Sequence, residues 1–291
     1  KRMKNNFTLR ILLYSLLAGI YSCDYVSNPV EPTTNNNGES CISSAFPATT
    51  PYRKVLVEDY TGHKCPNCPQ AAVSVKKLED TFHDSVICIA VHADFFAKPD
   101  SKFPEDFRTD AGEKYAVTFG FSGYPNGLVN RKDYPSNAVK AHTSWLSEVS
   151  TILRTAPEAD VQMLSDYNST DSNVCVNVQT KLLSNPSLTT SYNLCLMLVQ
   201  DSIVAPQVDG TNTIASYLHR HVLRDNINGI WGDSVLTNAK KDEARLKKYK
   251  FKLQGTYKNV SCKPKNCYLV AFLYDNSNYR ILQAEEIKII K

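Results

Sequence analysis

The hydrophobic and polar positions in the first half of the chain predict buried strands on either side of a helix. Apolar residues dominate residues 54–60 and 85–92. Apolar runs of this length are typical of strands covered on both faces, as in a parallel sheet. Between them, the apolar positions of residues 71–81 recur with helical spacing, which predicts an amphipathic helix. The pattern therefore predicts strand, helix and strand in that order.

The second half of the chain has a different pattern, in which apolar and polar positions alternate from Ala159 onward. Alternation is typical of strands with one buried face. The predicted strands are residues 175–179, 195–200, 250–258, 267–274 and 281–290, with turn sequences between them. This arrangement predicts an all-β domain over residues 158–291, an antiparallel sandwich of the immunoglobulin-like type.

The first 22 residues have the pattern of a secretory signal peptide, with basic residues followed by an apolar run from Ile11 to Ile20. That run is too short for a membrane-spanning helix. Cys23 follows a small residue, Ser22, and resembles the lipidated cysteine of a lipobox. We therefore expect a lipid anchor on Cys23; ordinary signal-peptidase cleavage near Ser22 is the alternative.

Residues 23–50 are rich in Pro, Asn, Thr and Ser. Such a composition predicts a flexible tether between the anchor and the folded part. Cys41 lies near the far end of this tether, and the sequence assigns it no partner.

Charge excludes a nucleic-acid partner. The formal net charge is +4, but four of the Lys and Arg residues precede Cys23. Without that segment the chain carries 29 basic and 29 acidic residues. Such a neutral balance lacks the basic surface by which proteins bind nucleic acid.

Nine cysteines favour an oxidising compartment outside the inner membrane. Two structural disulfides are predicted. Cys262 and Cys267 flank a four-residue turn, and Cys175 and Cys195 are about equidistant from the turn between their strands. Cys88 lies in the middle of an apolar run and is expected to be a buried free thiol.

The candidate chemistry lies in Cys65-Pro66-Asn67-Cys68, between the first predicted strand and the helix. In that context a CxxC pair predicts a redox site rather than half of a zinc site. Cys65 would lie at the helix start, where free N–H groups favour a thiolate. His63 and Lys64 would add positive charge nearby. No metal or cofactor is expected.

Two further positions in the sequence resemble features of the thioredoxin superfamily. In that superfamily a cis proline begins a strand and faces the CxxC pair. Tyr124-Pro125, which precedes an apolar pair, is similar to that proline. An ordinary trans proline in a turn is the alternative. Asp59 stands six residues before Cys65, where the resemblance implies a buried acid that takes the proton of the second cysteine. Asp59 could equally be a polar strand end. The resemblance implies an α/β thioredoxin-like domain over residues 51–157.

His219 and His221 are spaced so that they would share one side of a strand. A zinc site needs further ligands, and the sequence offers no third one nearby. We therefore expect a polar loop or hairpin over the sandwich here rather than a metal site.

Several motifs together resemble the outer-membrane lipoprotein family named after a twenty-eight-kilodalton outer-membrane protein. They are Cys23 after the signal, Thr61-Gly62 before the CxxC, Tyr124-Pro125 leading to Asn130-Arg131, and residues 222–232. The resemblance implies a thioredoxin-like domain followed by a β-domain. Members are described as surface antigens or adhesins, with redox activity suggested mainly from the fold.

The sequence leaves two functions open. The first is a thiol–disulfide oxidoreductase or isomerase of the cell envelope, acting on disulfide-bearing exported proteins or an envelope redox partner. Cys65 would attack and Cys68 would resolve the mixed disulfide, while Pro125 would present its backbone to the substrate and Asp59 would carry the proton. The second is a surface-exposed outer-membrane binding protein or adhesin in which the Cys65–Cys68 disulfide is structural.

Overall fold

The computed structural model, which describes residues 42–186 and 191–290, is built mainly from β-strands. Helices are few and short within these residues, and none of them is long and apolar enough to cross a membrane. The predicted signal peptide, Cys23 and Cys41 lie outside the described residues.

The first half contains the predicted strand–helix–strand unit. In chain order its elements are β1 (Val55–Thr61), α1 (Cys68–Phe82), β2 (Val86–His92), α2 (Asp94–Ala97), α3 (Asp110–Phe119), β3 (Asn126–Val129), β4 (Val139–Lys140) and α4 (Trp145–Leu153). Every residue of β1 is buried, as its apolar run predicts. Helix α3 begins at Thr109, whose side chain accepts the Gly112 N–H, and ends at Gly120 in the left-handed conformation.

The second half contains twelve strands among the described residues. They are β5 (Ala159–Asn168), β6 (Asn173–Leu182), β7 (Ser191–Gln200), β8 (Ile203–Asp209), β9 (Asn212–His219), β10 (Val222–Asn226), β11 (Asp233–Thr237), β12 (Ala244–Lys252), β13 (Thr256–Tyr257), β14 (Val260–Ser261), β15 (Cys267–Asp275) and β16 (Ile281–Lys288). Short 3-10 helices cover His83–Ser85, His142–Ser144 and Pro264–Asn266.

One nine-stranded sheet joins the two halves. Its order is β16-β15-β7-β10-β2-β1-β3-β4, with β11 also paired to β7. Strands β1 and β2 are parallel, as predicted, and β3 is antiparallel to β1. The halves meet where β10 runs parallel to β2, with Val222 opposite Ala90 and the Ala90 N–H donating to the His221 carbonyl at 2.7 Å. The described residues belong to one compact unit.

Both faces of this sheet are covered. On β7, Leu194, Leu196 and Leu198 pack against the separate sheet β12-β6-β5, while the alternate residues pack on the opposite face with α3. This alternation is the two-residue period of a strand between two layers. Helices α1 and α4 cover the β1 end of the first face. The antiparallel sheet packing expected in the second half is therefore present.

The predicted Cys175–Cys195 disulfide is wrong. Cys195 is a buried free thiol, and Cys175 is held in a different disulfide. Strands β6 and β7 lie in different sheets, and Cys195 faces the layer that contains α3. Although β6 and β7 are adjacent in sequence, they are not neighbours in a sheet, which removes the geometry that the prediction required.

The other two cysteine predictions have different outcomes. Cys262 and Cys267 lie together, as expected, but they are free thiols with sulfurs 3.3 Å apart. The predicted disulfide is therefore wrong; the two thiols contact each other, and the Cys267 thiol also donates to the Lys263 carbonyl. Cys88 is a buried free thiol, which confirms the prediction for that residue.

Candidate functional site

The CxxC pair forms a disulfide at the turn between β1 and α1. The Cα atoms of Cys65 and Cys68 are 5.4 Å apart. The turn is closed by the Cys65 N–H, which donates to the Gly62 carbonyl at 3.0 Å. A side chain at Gly62 would place its Cβ 2.4 Å from the Phe96 backbone, so only glycine fits there. The strand–turn–helix context predicted for the pair is confirmed.

A hairpin made of β8 and β9 covers this turn. The buried side chain of Gln207 donates to the carbonyls of Gly62 at 3.3 Å and Cys65 at 3.1 Å. The Val208 N–H donates to the His63 carbonyl at 2.8 Å and the Gly210 N–H to the Pro66 carbonyl at 2.9 Å. Only 1% of Cys65 and 3% of Cys68 is exposed. The polar loop or hairpin predicted around His219 and His221 is wrong beyond His219, because β9 ends there and Val222–Asn226 form β10 inside the nine-stranded sheet.

The Tyr124–Pro125 peptide bond is cis, as predicted. Strand β3 begins at the next residue, Asn126, and pairs with Tyr60 of β1. Pro125 therefore lies beside the end of β1 that leads into the CxxC turn. The Tyr124 ring contacts the rings of Phe96 and Phe121. A second cis bond, Tyr134–Pro135, was not expected from the sequence.

Asp59 is a buried acid near the pair. It is 5% exposed, and its Oδ1 atom has no hydrogen-bond partner. Burial raises its pKa to about 8, because a desolvated carboxylate loses its hydration without a compensating charge. The side chain is therefore mostly protonated near pH 7. Asp59 lies within β1, whose residues are all buried, so the alternative of a polar strand end does not hold; the burial of the carboxyl group gives it chemical interest.

Asp59 and Cys68 line one cavity of about 330 Å³ between α1, β2 and the hairpin. Val75 and Ile89 contribute apolar walls, and Tyr217 closes the hairpin side. Cys65 is not among the lining residues. A route into this cavity would therefore reach Cys68 and the Asp59 carboxyl before Cys65.

His63 does not supply the positive charge expected of it. Its ring is buried and stacks on Phe103 with centroids 5.3 Å apart. Burial lowers its pKa to about 4, so it is neutral near pH 7. Lys64 lies close to Asp100, with its Nζ atom 3.3 Å from the carboxylate. Residue type alone could not reveal the burial of His63.

Three buried histidines meet where the hairpin base reaches β2. The rings of His92 and His219 are 5.6 Å apart, and each lies 4.9 Å from the Phe107 ring; His63 is the third, 5.9 Å from Phe107. His221 lies elsewhere, with Nε2 2.9 Å from Glu79 and Nδ1 2.7 Å from the Tyr268 hydroxyl. His219 and His221 thus have different hydrogen-bonding and ring contacts, although both line the cavity beside Asp59 and Cys68. Within the described ranges, no group of three or more His, Cys, Asp or Glu has metal-binding geometry.

A buried ion pair beside the site was not assigned a role from the sequence. Arg131 donates to both carboxylate oxygens of Glu58, at 2.8 and 2.7 Å, and both side chains are fully buried. The guanidinium also lies over the rings of Tyr115 and Phe272, 4.6 and 5.0 Å from their centroids. Bidentate pairing and ring stacking are typical uses of arginine. This pair fixes the end of β3 against β1 and β15.

The sequence matches a family model described as Outer membrane protein Omp28 over residues 112–291. The chain belongs to the Omp28 family. This membership supports the predicted localisation in the outer membrane of the cell envelope. It also agrees with the family resemblance of the sequence motifs, of which Tyr124-Pro125 and residues 222–232 lie inside the matched range.

Two solved structures from Porphyromonas gingivalis resemble this member of the Omp28 family. HBP35 superposes with a TM-score of 0.63 at 17% identity, over 84% of this chain and 77% of that one; this likeness shows a shared fold. A domain of the outer membrane lipoprotein Omp28 gives a TM-score of 0.32 at 22% identity, over 46% of this chain and 88% of that one. No curated protein matches the chain.

Proposed function

We propose that this protein is a thiol–disulfide oxidoreductase of the cell envelope that acts on exported proteins through Cys65 and Cys68. The observation that carries the proposal is the buried acid Asp59, which shares a cavity with Cys68 and has an unpartnered oxygen. Burying a carboxyl group without a full set of partners is unfavourable. A purely structural disulfide does not explain that cost, whereas proton transfer at Cys68 does.

We propose further that the first half is thioredoxin-like. Three observations support this: β1 and β2 are parallel around α1, β3 adds antiparallel to β1, and α4 packs beside α1. The CxxC begins α1, and Pro125 precedes β3 next to it. In the proposed arrangement, Pro125 offers backbone to a bound substrate chain.

The proposed reaction is an exchange of one disulfide for another. In the reduced protein the Cys65 thiolate attacks a substrate sulfur, forming a mixed disulfide and releasing the other substrate sulfur as a thiolate, which takes up a proton from solvent. Asp59, which is mostly protonated near pH 7, first releases its proton to solvent, and its carboxylate then takes the proton of Cys68. The Cys68 thiolate attacks Cys65, which restores the Cys65–Cys68 disulfide and releases the second substrate sulfur as a thiolate that is protonated by solvent. A pKa of about 8 leaves a minor fraction of Asp59 as the carboxylate near pH 7, and this fraction is the form that accepts the proton.

The second candidate function is a surface-exposed binding protein or adhesin with a structural Cys65–Cys68 disulfide. The observation in its favour is the cover formed by the β8–β9 hairpin, which leaves both sulfurs almost completely buried. Structural disulfides are typically protected in this way, while catalytic ones are accessible. The two candidates therefore differ in whether the pair exchanges electrons with other thiols.

We also propose that Cys23 carries a lipid anchor and that residues 1–22 are a signal peptide, with the described part facing the periplasm or the cell surface. The supporting observations are the sequence pattern and the family membership. Mass spectrometry of the protein purified from its host membrane tests this: a diacylglyceryl-modified N-terminal Cys23 is expected, and an unmodified N-terminus near Ser22 would contradict it.

Disulfide exchange on a model protein substrate tests the function. The oxidised and reduced proteins are assayed for oxidation and reduction of a small disulfide protein. Exchange is expected with the natural chain and should be abolished by Cys65→Ser. The variant Cys68→Ser should instead trap a mixed disulfide through Cys65. Failure of the natural chain to exchange with any substrate, in either direction, would favour the binding protein.

A further inference from the structure

We propose that Gln207 is a positioning residue that latches the β8–β9 hairpin over the CxxC turn, so that exchange at Cys65–Cys68 requires the hairpin to open. This inference rests on the proposed function, because a cover has a regulatory meaning only over a reactive pair. It assigns a role to a segment that no catalytic step above uses.

The tip of the hairpin holds the turn by its carbonyl groups. The Gln207 side chain and the backbone N–H groups of Val208 and Gly210 donate hydrogen bonds to four carbonyl groups of the turn. These carbonyls belong to Gly62, His63, Cys65 and Pro66. The carbonyls belong to the segment that carries the attacking cysteine. Any substrate chain that approaches this side of the turn must therefore replace the hairpin tip.

The position and the side-chain amide of Gln207 suit this contact. It is 3% exposed and lies on the buried side of β8 together with Ile203 and Ala205. The two-residue period of a strand directs these side chains to the same face. Here the side chain points to the CxxC turn, and its amide nitrogen also donates to the Val208 carbonyl at 2.9 Å. The amide supplies donors where a hydrocarbon of the same size would supply none.

The hairpin is able to move without disrupting the main sheet. Strands β8 and β9 pair only with each other among the described strands. Most of β9 is exposed, including Ile214 and Leu218. The base is anchored instead, since Ile203 and Ala205 pack with Phe107. A two-stranded element with few buried contacts is a typical unit of local opening.

If the β8–β9 hairpin must open, its opening limits how fast a small reductant reaches the Cys65–Cys68 disulfide. The experiment uses the oxidised protein from Asp24 to the C-terminal end of the sequence, with a water-soluble phosphine as the reductant. Free thiols are alkylated at timed intervals, and the Cys65 and Cys68 peptides are quantified by mass spectrometry. Gln207→Leu keeps the size of the side chain and removes both donations to the turn. We expect it to accelerate reduction about tenfold, in line with the loss of buried hydrogen bonds.

Thr213→Ala is the matched control, because Thr213 is exposed on β9 of the same hairpin. Its reduction rate should equal that of the natural chain. An unchanged rate in Gln207→Leu, or an equal acceleration in Thr213→Ala, would overturn the latch.

Hydrogen exchange separates opening of the hairpin from general unfolding. In Gln207→Leu, faster exchange should be confined to residues 203–219 and the CxxC turn, with β7 and β15 unaffected. Faster exchange throughout the chain would mean that Gln207 acts on global stability, which also overturns the proposal. Phosphine reduction needs no turnover of a protein substrate. A latch can therefore be established even if the chain has no exchange activity, and exchange activity can exist without a latch.

Discussion

At the scale of single residues, the carboxyl group of Asp59 should control how stability depends on pH. Its pKa is about 8 in the folded protein and near 3.8 when exposed. Between those values the folded chain binds a proton that the unfolded chain has lost. Stability from this group therefore falls as pH rises from about 4 to 8 and then levels off.

Asp59→Asn removes this titration. With the disulfide intact, the variant should be more stable than the natural chain by about 3 to 5 kcal/mol at pH 9, and the difference should vanish near pH 4. Urea unfolding at pH 4, 6 and 9 measures it. Asp84→Asn, at an exposed aspartate, is the control and should show no such trend. A constant difference across pH would show that Asp59 does not titrate near 8.

The Glu58–Arg131 pair gives a second prediction at this scale. Arg131→Met leaves the Glu58 carboxylate buried without its partner, which should cost about 3 to 5 kcal/mol. The double variant Glu58→Leu with Arg131→Met removes both charges and should recover most of that loss. Urea unfolding at pH 7 measures both. If the single variant is as stable as the double one, the ion pair is not the contact that matters.

At the scale of elements, the β8–β9 hairpin should loosen in acid. His219 at its base and His63 in the turn have pKa values lowered to about 4 by burial, and the pKa of His92 is also lowered by burial. Exposed histidines bind a proton near 6.5. As pH falls from 6.5 toward 4, the open form gains protons that the closed form cannot accept, so opening becomes more favourable.

Hydrogen-exchange protection factors at pH 7 and 4.5 measure this. Protection over residues 203–219 should fall at least tenfold more than protection over β7, after correction for the intrinsic rate. His219→Phe should reduce the difference. The titration of Asp59 changes stability with pH in the opposite direction to the histidines. The charges of Lys64, Asp100 and Arg224 also shift the pKa values of the histidine rings. Repeating the comparison in Asp59→Asn separates its contribution. Equal loss of protection in β7 and the hairpin would contradict local opening.

The sequence predicted elements well where the determinants are local. Helix α1 was expected over residues 71–81 and spans Cys68–Phe82; it starts earlier because Pro69 is tolerated in a first turn. The CxxC turn and the proline before β3 were also visible in the sequence. The β8–β9 hairpin was not predicted, because its contacts to the turn come from Gln207, 142 residues beyond Cys65.

At the scale of the molecule, strand order could not be predicted. The parallel pairing of β10 with β2 places Val222 opposite Ala90, and the pattern of apolar and polar residues does not indicate such a contact. The same holds for the burial of His63, which leaves its ring neutral instead of positively charged near pH 7, and for the layer that Cys195 faces. Pattern specifies which face of a strand is apolar; it does not specify which neighbour covers that face.

The continuous sheet predicts that the two halves unfold together. The chain has two tryptophans, Trp145 in α4 and Trp231 in the second half. Trp231→Phe leaves a reporter of the first half, and Trp145→Phe leaves one of the second. After correction for each variant's stability by circular dichroism, fluorescence and circular dichroism should give the same urea midpoint in both. Separate midpoints would indicate independently folding halves.

The redox proposal for the whole protein depends on the equilibrium between the Cys65–Cys68 disulfide and its dithiol. The soluble chain from Asp24 is equilibrated in graded glutathione buffers, free thiols are trapped, and the Cys65 and Cys68 peptides are quantified by mass spectrometry. We expect a reduction potential between about −120 and −270 mV, the range of working oxidoreductases. A pair that remains oxidised below about −300 mV would be a structural disulfide, and the protein would then be a binding protein.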